Sequence, residues 1–171
     1  MLALAKEYIT DLFNVFYPKL CLSCTKALLR SEDILCLHCE SELPLTEYWN
    51  DAENRLVKRF WGRVPVQGAV ALFQFKKGSG VQNILHELKY RGRTDAGMYC
   101  GKRLGYLLKS NTTVISNVDL IVPVPLFWKK EKARGYNQCD SFAAGLSEIL
   151  SVPWSSTSLE RIHENISQTK K

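Results

Sequence analysis

The chain has 171 residues, 46% hydrophobic and 23% charged, with a formal net charge of +6. It is long enough for one modest core and a small appended module, and no run approaches the ~18 apolar residues of a membrane helix. The charge is uneven: residues 76–138 hold 12 basic and 4 acidic groups, whereas 1–75 hold 8 and 9. That concentration points to an anionic partner, a phosphorylated small molecule or nucleic acid, with a solvated basic face as the plain alternative.

At the start, Leu4, Tyr8, Ile9, Leu12, Phe13 and Phe16 form a helical stripe that Pro18 closes. Glu7 and Asp11 interrupt any signal-like core, so cytoplasmic residence without membrane attachment is expected. Next, Cys21-x2-Cys24 and Cys36-x2-Cys39 flank eleven residues, 25–35, as two knuckles able to close on one structural Zn²⁺. Four thiolates leave no open position for water, so no catalysis is assigned to the metal. A disulfide framework would need a secretory setting. His38 lies inside the second knuckle and is expected to face solvent or bond backbone. Cys100 and Cys139 are expected to be buried apolar residues of helices.

Residues 46–68 read as a connector punctuated by Asn50, Asp51 and Pro65. Its Tyr48, Trp49, Phe60 and Trp61 either pack the module onto the main domain or form a base-stacking platform beside Arg55, Lys58, Arg59 and Arg63. A strand is predicted at 69–75, ending at a Gly78-Ser79-Gly80 turn. Val81, Ile84, Leu85 and Leu88 then predict a helix. A second helix, from about Asp95 to Leu108, carries Gly97, Gly101 and Gly105 on one face, each costing roughly 1 kcal/mol relative to alanine. Close packing against a sheet is the expected compensation.

Leu120–Val122 predicts a buried parallel strand that Pro123 and Pro125 terminate. Lys129, Lys130, Lys132 and Arg134 follow in what reads as a basic loop, then Gly135 and a helix over 139–150. Strand, basic loop and helix in that order favour an anion such as phosphate at the helix start. The two βα units predict a right-handed crossover and a parallel sheet.

Pro123-Val124-Pro125-Leu126 with Arg134-Gly135-Tyr136-Asn137-Gln138 resembles the signature of the ComF family. Phe60-Trp61-Gly62-Arg63, Leu88-Lys89-Tyr90, Arg161 and Gln168-Thr169 fall where that family has similar residues. The resemblance implies an α/β architecture: an incomplete parallel-sheet, phosphoribosyltransferase-like domain with a small N-terminal zinc ribbon. The corresponding divisions are 1–45 for the N-terminal helix and four-cysteine zinc-binding module, 46–68 for the connector and 69–171 for the partial transferase-like domain. It further implies a phosphorylated ligand such as phosphoribosyl pyrophosphate, a link to competence and DNA uptake, and competence-machinery proteins as partners. Arg134 would clamp phosphate with its planar fork. Gly135 would admit the ligand to the backbone, Asn137 and Gln138 would orient ligand or loop, and Arg161 and Gln168 would belong to a covering loop.

One departure matters. The family's adjacent acidic pair before a Thr/Gly-rich turn is missing, because the only adjacent acids, Glu32 and Asp33, lie inside the cysteine module. The chain is therefore expected to be a truncated relative, with Mg²⁺ bound only if a further C-terminal part is supplied, no catalytic residue, and no transferase activity alone. The alternatives are a single-stranded-DNA-binding accessory and a zinc-stabilised protein-interaction module.

Overall fold

A computed structural model describes residues 16–110 and 118–164. The N-terminal stripe up to position 15, the polar stretch 111–117, Gln168 and Thr169 lie outside the described residues. Five helices are present among the described residues: α1 (Leu37–Ser41), α2 (Gly80–Tyr90), α3 (Thr94–Lys109), α4 (Trp128–Arg134) and α5 (Gln138–Leu150). Short 3-10 turns occur at Tyr48–Asn50 and Val57–Arg59.

The apolar periodicity explains the long helices. In α2 the spacing predicted from sequence buries Val81, Ile84 and Leu88. In α3 the buried face is Ala96, Gly97, Cys100, Gly101, Leu104, Gly105 and Leu108. One buried cluster joins them to the cysteine module, through Cys21, Leu22, Leu35, Leu43, Trp49 and Leu72. Cys100 is buried as expected, whereas Cys139 is only half-buried.

The predicted parallel sheet is absent: no strand or sheet forms among the described residues, only isolated bridges. The segment expected as the first strand is bonded elsewhere. Leu45 and Phe73 pair antiparallel, with Gln74 N–H donating to the Pro44 carbonyl at 2.7 Å. Residues 69–75 thereby spend their backbone groups on the edge of the cysteine module. At the second expected strand, Ile121 N–H donates to Pro153 O at 2.9 Å and Ser155 N–H to Ile121 O at 3.0 Å. Pro123 and Pro125 withhold the donors that would lengthen this ladder. Leu120 and Val124 are exposed, so this run is not buried on both faces. The α/β, phosphoribosyltransferase-like architecture and its right-handed crossover are thus overturned by a helical arrangement.

The glycine row finds a different partner from the one expected. A Cβ on Gly101 would collide with the Phe142 carbonyl and lie 3.0 Å from Leu146 N, and one on Gly105 would lie 2.8 Å from Ile149 Cβ. Gly145 answers from α5, where a Cβ would strike the Met98 carbonyl. The row therefore lets α3 and α5 touch backbone to backbone, and helix rather than sheet contact compensates its propensity cost. Lys102 and Glu148 close the exposed side of this pair at 2.7 Å.

Candidate metal centre and basic cleft

The loop geometry around the four cysteines is built by backbone donors. Cys21 N–H donates to Lys26 O, Thr25 N–H to Cys21 O, and Cys36 N–H points at Cys21 Sγ across 3.4 Å. Glu32 braces the turn between the knuckles, its carboxylate accepting from Leu29 N–H at 2.7 Å and Leu37 N–H at 2.8 Å. Those two bonds hold Glu32 below the ordinary carboxylate range. His38 is exposed and lies 3.7 Å from Glu42.

The four Sγ atoms lie within 4.8 Å of one another, and Cys24 and Cys36 are 3.8 Å apart. A tetrahedron with metal–sulfur bonds of about 2.3 Å has edges of about 3.8 Å, so the donor set fits one tetrahedral metal ion. Burial opposes ionisation of Cys21, but N–H groups of Cys24, Cys36 and Ser23 outweigh it and bring the thiol down to about 7. Cys39 is pushed up to about 12, chiefly by burial. Four thiolates cannot share this space without a cation, and metal uptake must release protons.

The module is tied to the helices at two places. Asn83 Nδ2 donates to Ser23 O at 2.7 Å, and a Cβ on Gly80 would collide with the Ser23 side chain. On the other side, Arg103 and Tyr99 of α3 both donate to Glu40 Oε1, at 2.6 and 3.1 Å. Buried Asn54 organises the connector: its Oδ1 accepts from Leu56 and Val57 N–H, and its Nδ2 lies 2.9 Å from the Asp51 and Ala69 carbonyls. Trp49 is buried in the core while Trp61 remains exposed under Lys58, so the connector aromatics serve packing in part.

The expected basic loop is the short helix α4. Gly135 ends it at φ 85°, a left-handed conformation suited to glycine, with its N–H donating to Glu131 O at 2.7 Å. The helix carries Lys130 and Arg134 to the C-terminal end of α2. There Lys89, Tyr90, Gly92, Lys130, Ala133, Arg134 and Tyr136 line a cleft of about 330 Å³. Arg134 lies 5.7 Å from the Tyr90 ring and donates to Gln138 Oε1, while the Tyr136 hydroxyl donates to Leu88 O.

The other predicted phosphate residues divide between structural and cleft positions. Asn137 is buried as the N-cap of α5. It accepts from Cys139 N–H at 3.1 Å and donates to the Val124 carbonyl and Asp140, so it orients the loop. Arg161 Nε donates to Pro125 O at 2.9 Å, and with Gln138, Cys139, Phe127 and Lys130 it borders a second cavity of about 200 Å³. Gln168 lies outside the described residues. Lys89, Tyr90 and Tyr136 were not assigned from sequence. Leu88-Lys89-Tyr90 carries a cation and an exposed aromatic at a helix end, the signal that could have found two of them.

No protein-family model matches the chain. No solved structure matches it either. The chain is 28% identical over 87 residues to the DNA utilization protein YhgH of Salmonella typhimurium, an alignment covering 50% of this chain and 38% of that protein. The chain thus spans well under half the length of the curated relative it matches. Among the described residues no helix is long and apolar enough to cross a membrane.

Proposed function

We propose that this chain acts in DNA utilisation by holding single-stranded DNA at the basic cleft, on a frame stabilised by a structural Zn²⁺. The observation that carries the reading is the convergence of Lys89, Lys130 and Arg134 with Tyr90 and Tyr136 around one cleft. Cations track a phosphate backbone and rings accept bases, the combination used by sequence-tolerant single-strand binders. The likeness to a DNA utilization protein and the ComF-like motif at 123–138 support the same reading. Sulfur-only ligation with near-tetrahedral spacing favours zinc, and metal analysis of the purified chain separates it from iron.

The test is fluorescence anisotropy with a labelled thymidine oligonucleotide across 50–200 mM salt. Binding should weaken steeply, with a log–log slope near −0.7 per phosphate contact, and Lys89→Ala with Lys130→Ala should flatten that slope. Binding that is absent or indifferent to salt sinks the proposal. A second reading, a phosphorylated small molecule such as phosphoribosyl pyrophosphate, is favoured by the size of the cleft, which suits a single compact ligand. It predicts displacement of the oligonucleotide by equimolar phosphoribosyl pyrophosphate, whereas the principal reading predicts none.

A further inference from the structure

The outer face of α2 carries an aromatic pair that the cation cleft alone does not explain. His86 and Tyr90 stand four residues apart on that helix, with ring centroids 5.0 Å apart and planes tilted by 48°. Both side chains are exposed, Tyr90 by 65%. Tyr90 also borders the cleft, where Arg134 lies over its ring. His86 borders a separate cavity of about 470 Å³ between α2 and the cysteine module, whose walls carry Asn83, Glu87, Lys19 and Arg93, with Arg93 paired to Asp95 at 2.8 Å and Lys19 to Asp33 at 3.6 Å. The pair therefore spans two concave regions along one helix face.

Among the other exposed aromatics, two stand beside a cation. Trp61 and Trp128 each have a neighbouring lysine, Lys58 at 5.8 Å and Lys129 at 5.5 Å from the ring. Neither ring lines any of the three cavities described above. Phe127, whose ring centroid lies 5.8 Å from that of Trp128, borders the 200 Å³ cavity alone, whereas the α2 pair touches two cavities.

We propose that His86 and Tyr90 form the base-stacking platform of the DNA site. Successive bases of a single strand lie on the two rings, while their phosphates run past Lys89 and Arg134 at the Tyr90 end. The inference rests on the single-strand reading above and extends its base contacts from Tyr90 along α2 to His86. A paired duplex keeps its base faces internal and cannot use this platform, so single strands are preferred.

The experiment uses the full metal-loaded chain with an oligonucleotide carrying 5-iododeoxyuridine, crosslinked by light and mapped by peptide mass spectrometry, alongside anisotropy of Tyr90→Leu, Tyr90→Phe and His86→Ala. Crosslinks are expected on the α2 peptide at Tyr90. Tyr90→Leu should weaken binding roughly tenfold, Tyr90→Phe should restore affinity to within about twofold, and His86→Ala should have a smaller effect than Tyr90→Leu. Circular dichroism of each variant establishes that α2 is intact. If His86→Ala binds as the unmodified chain does while a Lys89/Lys130 double alanine variant loses affinity, the platform is overturned and the cleft reading stands. Equal affinity for duplex and single strand also overturns the platform. If the unmodified chain binds no oligonucleotide, the functional reading itself fails.

Discussion

Around the four cysteines, position is set by short-range bonds, within the first knuckle from Cys21 N–H to Lys26 O and between the knuckles from Cys36 N–H to Cys21 Sγ and from Leu22 N–H to Ile34 O. Around Arg134, position is set by partners far along the chain, since Tyr90 and Leu88 come from α2, more than forty residues away. A short-range site tolerates change elsewhere. The cleft depends on the placement of α2 and α4, and α2 is seated on the cysteine module through Asn83 and Gly80. Damage to the metal centre should therefore reach the cleft, while damage to the cleft should leave the metal centre whole.

The largest expected effect follows from removing a metal ligand. Cys24→Ser should abolish stoichiometric metal binding and cooperative melting of the module, because metal ligation supplies most of the folding free energy of so small a unit. Elemental analysis and thermal circular dichroism check this. Survival of an unaltered melting transition would show that the buried cluster suffices without metal.

Gly101→Ala comes next. It gains about 1 kcal/mol of helix propensity but forces a Cβ against the Phe142 carbonyl, and the net loss should be about 1–3 kcal/mol by urea denaturation. Metal content should be unchanged.

Glu32→Gln should weaken the module at neutral pH. The carboxylate's folded pKa lies below its ordinary 4.5, so its contribution is complete above about that pH and is lost as pH falls through the lower folded value. The stability gap between variant and unmodified chain should accordingly be widest at pH 7 and close in acid. A gap independent of pH would show that the two N–H bonds do not favour the charged form.

The smallest effect is expected at the tie between module and α3. Arg103→Met removes the partly exposed ion pair with Glu40 and should cost about 1 kcal/mol by denaturant titration.

The same contrast explains what was legible in the sequence. The metal centre could be read because Cys-x2-Cys spacing is itself the geometry. The helices α2, α3 and α5 followed from apolar periodicity, and close packing of the glycine row was expected correctly with the wrong partner. The sheet was misread because β-branched residues at 120–122 and 69–75 report a preference for extended backbone and say nothing about which segment accepts their hydrogen bonds. Pro44 and Pro153 supplied those acceptors, at separate places. Asn137 was expected to orient ligand or loop, and its side chain caps α5 through Oδ1 and ties Val124 O and Asp140 through Nδ2. Tyr90 and Tyr136 stood in the family-like motifs, but that they face one cleft is set by tertiary contact.

The most direct test of the account is oligonucleotide affinity measured before and after chelation of the metal. Loss of at least tenfold in affinity on stripping the metal, recovered on adding Zn²⁺ back, is the predicted result, because α2 carries the cleft and rests on the module. Unchanged affinity in the metal-free chain would contradict it.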